Sequence, residues 1–322
     1  MRAAGARGRK AGIVAASLAV HAVLIALVAV QVAVAVGVLI VAAWLTGRPT
    51  PRERSTFFER SLRTSLVPVV VAGVVCGVAL VRTDDVDAGP PLPRDVTVMT
   101  YNIQVGFSRD NDWSLERTAR TIEAQDPEIV ILQEVSRGWV IASGVDEVRW
   151  LSERLDMPVV FGAASRDGLW GNAILTRAPI KSESVTIYAS TQNLRRSVVV
   201  LQLETEAGDL WVFGTHLDNP DEAGAVRLEQ VDQLIEVWDG RSPAILAGDF
   251  NAPPESDVLA ALTAAGFVDT GAAFPPETFT MEDRRRIDYI LTAGPIATRE
   301  VRIPDVWTSD HKPVVAELTL GA

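Results

Sequence analysis

Several short apolar runs in this chain stop abruptly at acids, amides or imidazoles. Ile129-Val-Ile-Leu is followed by Gln133 and Glu134, and Leu210-Trp-Val-Phe-Gly-Thr by His216-Leu-Asp218. Ala244-Ile-Leu-Ala-Gly leads into Asp249-Phe-Asn251, and Trp307-Thr-Ser leads into Asp310-His311-Lys-Pro313. Apolar runs of four to eight residues bounded by turn formers read as buried strands. A polar residue at the end of such a run emerges at a sheet edge. Several such ends brought together supply the parts of a metal-assisted hydrolase site. Only His216 and His311 provide imidazoles after residue 83, which narrows the choice of titrating groups.

The chain has 322 residues with 48% hydrophobic content, enough to bury a full core. Its polarity is split. Residues 11–46 carry no charged side chain, and a second run, Leu66 to Val81, is also apolar. A transmembrane helix needs about 20 apolar residues, so the first run is long for one upright helix and short for two. Residues 1–83 hold 10 basic and 2 acidic side chains, leaving 20 basic and 39 acidic for 84–322, a net charge of −19. Arginine-rich short loops stay on the cytoplasmic side. With the loop from Arg48 to Arg63 inside and residues 66–81 spanning, residue 84 onward faces outward. The first run is then a tight hairpin or one long tilted helix, and the hairpin keeps both basic segments inside. A cleaved signal peptide would have a shorter apolar core. Cys76 is the only cysteine, so there is no intramolecular disulfide and no cysteine metal site. We therefore expect a membrane anchor over 1–83 with two or three helices, about 11–46 and 66–81. A linker rich in proline and aspartate should cover 84–95, and a catalytic domain 96–320.

Within that domain, strand-like and helix-like patterns alternate. Val96–Tyr101 has period two, and Leu115, Thr118, Ala119 and Ile122 mark one helix face. Residues 128–132, 171–176, 197–203, 210–215, 244–247, 287–291 and 313–320 read as strands. Val226, Leu228, Val231, Leu234, Ile235 and Trp238 mark an amphipathic helix. Strands outnumber helices and several are closely linked, which predicts a mixed α/β domain over a doubly wound parallel one.

Seven clusters stand in a fixed order: Thr100-Tyr-Asn102, Leu132-Gln-Glu134, Gly171-Asn-Ala-Ile-Leu-Thr-Arg177, Thr215-His216, Gly248-Asp-Phe-Asn251, Arg286-Ile-Asp288-Tyr and Ser309-Asp-His311. Together they resemble the endonuclease/exonuclease/phosphatase superfamily, the deoxyribonuclease I-like enzymes, across roughly residues 95–320. The resemblance implies an α/β (α+β) four-layer sandwich, two packed mixed β-sheets flanked by helices, that cleaves phosphoester bonds with Mg²⁺ or Mn²⁺.

By that resemblance Glu134 is a metal ligand with Asp310 assisting, and Asn102 contacts metal or phosphate. Such a set suits magnesium, which takes oxygen ligands and one or two carboxylates. Asp249 corresponds to the residue that orients or deprotonates the attacking water, and Asn251 to the one that holds the phosphoryl group. His311 and Asp288 resemble a His–Asp pair in which a carboxylate fixes the tautomer and favours the protonated ring. His216 resembles a second phosphate-side or acid histidine. Asn172 matches a position near the substrate, or braces the following loop. Arg196 is a bidentate phosphate clamp or a surface salt bridge, and the run Arg284-Arg-Arg286 is a substrate rim or a solvated face.

The substrate class stays open among phospholipids, small phosphoesters and nucleic acid. Non-specific DNA binding relies on many lysine and arginine contacts to phosphates, which a domain at −19 does not offer broadly. The reading is a membrane-anchored metal-dependent phosphoesterase, with an outward-facing DNA endonuclease and a catalytically silent scaffold of the same fold as alternatives. A silent scaffold would be expected to lose acids or histidines, and none of the expected ones is missing. The membrane is the one partner implied besides the substrate, and no protein partner is evident.

Overall fold

The structure, a computed structural model, describes residues 86–321 except Ser143 and Pro220. The apolar runs expected to span a membrane lie outside the described residues. Among the described residues no helix is long and apolar enough to cross one. Residues 85–322 form one unit.

Among the described residues twelve strands make two six-stranded sheets. The first runs in the order β11 (Ile296–Arg302), β12 (Val314–Leu320), β1 (Asp95–Asn102), β2 (Ile129–Ser136), β4 (Trp170–Thr176), β3 (Val159–Ala163). The second runs β5 (Ile180–Ile187), β6 (Ser197–Thr205), β7 (Gly208–His216), β8 (Ala244–Asp249), β10 (Asp288–Ala293), β9 (Val268–Asp269). Each sheet contains a single parallel pair, β1–β2 in one and β7–β8 in the other. A parallel pair needs a crossover. Helix α1 (Leu115–Glu123) lies between β1 and β2, and helix α3 (Gly224–Trp238) between β7 and β8. Two further helices, α2 (Glu147–Leu155) and α4 (Asp257–Ala265), complete the outer layers.

The layering follows from side-chain alternation. In β1 and β2, Val96, Val98, Ile129 and Ile131 point between the sheets, against Val199, Leu201, Val212, Ile245 and Ile290 from the second sheet. Their neighbours Met99, Tyr101, Val130 and Leu132 face outward under Leu115 and Ile122 of α1 and Leu151 of α2. On the other side Phe213, Leu246 and Leu291 pack under Val231 and Leu234 of α3 and Leu262 of α4. Strands covered on both faces read as continuous apolar runs, as β2 and β8 do. Each fully buried aliphatic side chain contributes about 1.5–3 kcal/mol. The result is two packed mixed sheets with helices outside.

The stretch expected as a linker is exposed from Asp87 to Pro91. Leu92 is buried in the inter-sheet core and bridges to Thr205, so the chain is fastened before β1 begins.

Candidate active site

The ends of the strands gather the polar clusters at one edge of the sandwich. Asn102 closes β1, His216 closes β7 and Asp249 closes β8. The parallel register sets His216 beside Asp249, and the antiparallel register of β10 sets Asp288 opposite Asp249. His311 lies in the loop that leads into β12. Tyr101 holds that loop through a 2.7 Å hydrogen bond to Thr308, whose carbonyl accepts from Ser114 at 2.6 Å.

Two hydrogen bonds tie the sheets together at this edge. Asn102 Nδ2 donates to Asp249 Oδ2 at 3.1 Å, while its Oδ1 accepts from the backbone N–H of Gln104. Asn172 Nδ2 donates to the carbonyl of Ser197 at 2.9 Å. Asn172 is thus engaged as a brace from β4 to β6.

Glu134 sits on β2 where the pairing with β4 shifts register between Leu132 and Val135. Its φ is 56°, in the left-handed region that costs a residue with a side chain. A bulge of this kind re-aims a side chain next to a site. Burial pushes the Glu134 carboxyl up and Asp310 adds to the effect, while Arg196, His311 and the Asn102 amide oppose it.

Asp249 is buried, accepts two hydrogen bonds and has two imidazoles nearby. Asn251 N–H meets Oδ1 at 2.9 Å, Asn102 meets Oδ2 at 3.1 Å, and the Nε2 atoms of His216 and His311 lie 3.4 and 3.8 Å from Oδ2. Burial and the charge of Asp288 push its carboxyl up to about 7, against the pull of His311 and the Asn102 and Asn251 bonds. His311 Nδ1 lies 2.9 Å from Asp288 Oδ2. Burial alone would deprotonate His311, but Asp288, Asp249 and Asp310 outweigh it and raise the ring to about 10. His216 goes the other way. Burial, Arg196 and His311 hold it well below the ordinary histidine range.

Asn251 reaches Nε2 of His216 and the carbonyl of Leu217, each at 3.1 Å. Asp310 accepts from the Ser309 hydroxyl at 3.0 Å. One cluster among the described residues could hold a cation. Asp249, Asp288 and His311 bring donor atoms within 4.8 Å of one another, and Asp288 Oδ1 is buried without a protein partner. Asp310 and the Asn102 amide are near enough to act on the Glu134 carboxyl.

Arg196 is not a surface salt bridge. It is 2% exposed, its guanidinium lies over the Trp170 ring at 5.2 Å, and Nη1 lies 3.1 Å from Nδ1 of His216. The basic run divides three ways. Arg284 is exposed and lies over Phe279, Arg285 pairs with Asp283 at 2.5 Å, and Arg286 is buried against Asp269 and Tyr289.

Glu147, at the start of α2, is a buried carboxyl that the sequence did not flag. Its Oε2 accepts the N–H of Ser136 at 2.8 Å, two residues past Glu134, and burial pushes it up to about 8. A helix-start glutamate usually reads as a solvated end, so only its packing distinguishes this one.

A model of the endonuclease/exonuclease/phosphatase family matches residues 99–311, a stretch that runs from β1 to His311. The chain belongs to that family. Among solved structures, an endonuclease/exonuclease/phosphatase from Beutenbergia cavernae is 25% identical, with a TM-score of 0.62 over 71% of this chain and 72% of that one. The human Nocturnin catalytic domain, solved with a bound sulfate anion, is 22% identical over 71% of this chain and 95% of its own, TM-score 0.55. D. rerio TDP2 complexed with a single strand DNA product is 17% identical over 70% and 98%, TM-score 0.56. At these identities the last two show the shared fold. All the expected site residues from Asn102 to His311 fall inside the matched stretch.

Proposed function

We propose that this protein is a divalent-metal-dependent phosphoesterase, tethered to a membrane by residues 1–83 with the family domain on the extracytoplasmic side. The observation that carries the hydrolase reading is Asp249, a buried carboxyl at about 7 surrounded by Asn102, Asn251, His216 and His311. A general base works best when its pKa lies near the operating pH. The tether rests on the apolar runs and the arginine asymmetry around them.

The residues fit a cation of the Mg²⁺ or Mn²⁺ type. Glu134, Asp310 and the Asn102 carbonyl oxygen offer oxygen donors, the kind such ions take. Occupying Asp249, Asp288 and His311 instead would displace the proton from Nε2 of His311, although its Nδ1 bond to Asp288 could stay. When bound, the cation supplies positive charge for the phosphoryl oxygens. Asp249 takes the proton of the attacking water, its orientation held by Asn102 Nδ2 and the Asn251 N–H. Protonated His311, fixed through Nδ1 by Asp288, offers Nε2–H to the charge that grows on the phosphoryl group. Asn251 holds a phosphoryl oxygen, and His216 stands beside it.

The deciding experiment compares full-length chain with Asp249→Ala, in Mg²⁺ and in chelator, on supercoiled plasmid and on bis(p-nitrophenyl) phosphate. Metal-dependent hydrolysis that falls by about 100- to 10,000-fold in the variant supports the reading. Nicking as well as ester hydrolysis makes the protein a nuclease despite its net charge of −19 after residue 83. Hydrolysis that ignores Asp249, or none on any phosphoester, leaves the silent scaffold.

A further inference from the structure

Two histidines of the site meet opposite partners at the same ring nitrogen. Nδ1 of His311 faces the carboxylate of Asp288, and Nδ1 of His216 faces the guanidinium of Arg196 at 3.1 Å. Arginine has five N–H donors, no acceptor, and keeps its proton in proteins. The atom it points at must therefore be a lone pair. On His216 that leaves Nδ1 bare, and a neutral imidazole then carries its one proton on Nε2.

An acceptor stands within reach of Nε2. Asp249 Oδ2 lies 3.4 Å away and can only accept when ionised. Asn251 Nδ2 lies 3.1 Å from the same nitrogen and 3.1 Å from the Leu217 carbonyl; one N–H goes to Leu217 and the second competes with Asp249 for Nε2, so the tautomer is decided at Nδ1, where arginine has no acceptor to offer. The parallel register of β7 and β8 keeps His216 and Asp249 side by side. Arg196 is itself fixed. It is buried, lies over the Trp170 ring at 5.2 Å, and its Nε has no hydrogen-bond partner among the described residues.

We infer that Arg196 is a positioning residue that locks His216 as the neutral Nε2–H tautomer, so that His216 is a fixed hydrogen-bond donor beside Asp249. A ring in that state has no second proton to give a leaving group. It steadies the Asp249 carboxylate, or a phosphoryl oxygen that comes between them. The catalytic consequence rests on the phosphoesterase reading; the tautomer rests on geometry alone.

The test is long-range ¹H–¹⁵N correlation NMR on full-length chain labelled with ¹⁵N-histidine, with His216→Gln to assign the ring. The expected pattern is an unprotonated Nδ1 and a protonated Nε2. Arg196→Lys, which also presents only donors, keeps it, whereas Arg196→Met releases Nδ1–H. A wild-type ring at neutral pH that carries its proton on Nδ1, or on both nitrogens, overturns the inference, as does an unchanged pattern in Arg196→Met. If the methionine variant does not fold, the wild-type and lysine spectra still decide. In activity, Arg196→Lys stays above the loss of about 10- to 100-fold typical when a partner that orients a functional side chain is removed. The expected tautomer in a chain that hydrolyses nothing would sink the phosphoesterase reading and leave this one standing.

Discussion

Asp249 and Asp288 stand directly opposite each other across β8 and β10, two buried carboxyls in antiparallel register. Two anions cannot share a dry site cheaply, and the pair splits the load. Asp249 is pushed up to about 7, while Asp288 spends Oδ2 on His311 at 2.9 Å. Asp288→Asn removes the charge that keeps His311 protonated, with little change of shape. We expect kcat to fall by about 100- to 10,000-fold, the range of a lost acid–base partner, with far-UV circular dichroism unchanged. A kcat within a few-fold of wild type would remove Asp288 from the mechanism.

The raised proton affinity of His311 has a sign for stability. An unfolded histidine titrates near 6.5, and the folded ring at about 10. The folded state therefore binds more protons between those values, and its stability falls as pH rises through that window. Burial pushes Glu147 up to about 8, which adds a loss of the same sign up to that pH. His216, held low, acts only below the ordinary histidine range and with opposite sign. In chelator, the melting temperature should drop from pH 7 to pH 10, and His311→Gln should flatten that drop. A wild-type melting temperature that rises over this range contradicts the assignment.

Glu134 is held at φ 56° on a register shift, a conformation that costs roughly 1–3 kcal/mol and is kept where function demands it. Glu134→Gln should weaken Mn²⁺ binding by more than the roughly 10- to 100-fold that follows from disturbing a ligand's outer partner. The unfolding midpoint of the metal-free protein should stay close to wild type. Calorimetric titration with Mn²⁺ checks it, and an unaltered affinity would move the cation to Asp249, Asp288 and His311.

Gly248 precedes Asp249 at the point where β7 and β8 come together. A Cβ there would lie 1.9 Å from the carbonyl oxygen of Thr215, a backbone atom with no room to shift. Gly248→Ala should cost about 3 kcal/mol or more in urea unfolding, the upper end of overpacking, and should reduce activity by separating His216 from Asp249. A midpoint near wild type would mean the two strands can part without cost.

What was legible in the sequence follows from burial on two faces. Strands β2 and β8 are covered on both sides, so their apolar runs stood out, and helix α3 showed its stripe. The edge strands β5 (Ile180–Ile187) and β11 (Ile296–Arg302) are exposed on one side and carry Lys181, Glu183, Arg299 and Glu300. They have neither a continuous apolar run nor a clean alternation. Strand β3 and helices α2 and α4 are short pieces of five to nine residues.

By itself the sequence determined which polar side chains follow the buried runs, although β2 continues past Glu134 to Ser136 and holds it on a bulge instead of at the strand end. That ordered set of Asn102, Glu134, His216, Asp249, Asn251, Asp288, Asp310 and His311 was enough for the family. What each one touches was decided by the tertiary structure. Arg196 read equally well as a clamp or a surface ion; only the packing of β6 against β7 puts it under His216. Asn172 became a brace once β4 and β6 met across the sheets, and Arg286 left its two neighbours to pair with Asp269. Proton positions depend on such partners, since a buried ring takes its charge from whichever group lies within hydrogen-bond reach. Two histidines of identical chemistry came out opposite, one beside a carboxylate and one beside a guanidinium, because strand register and sheet packing set those neighbours.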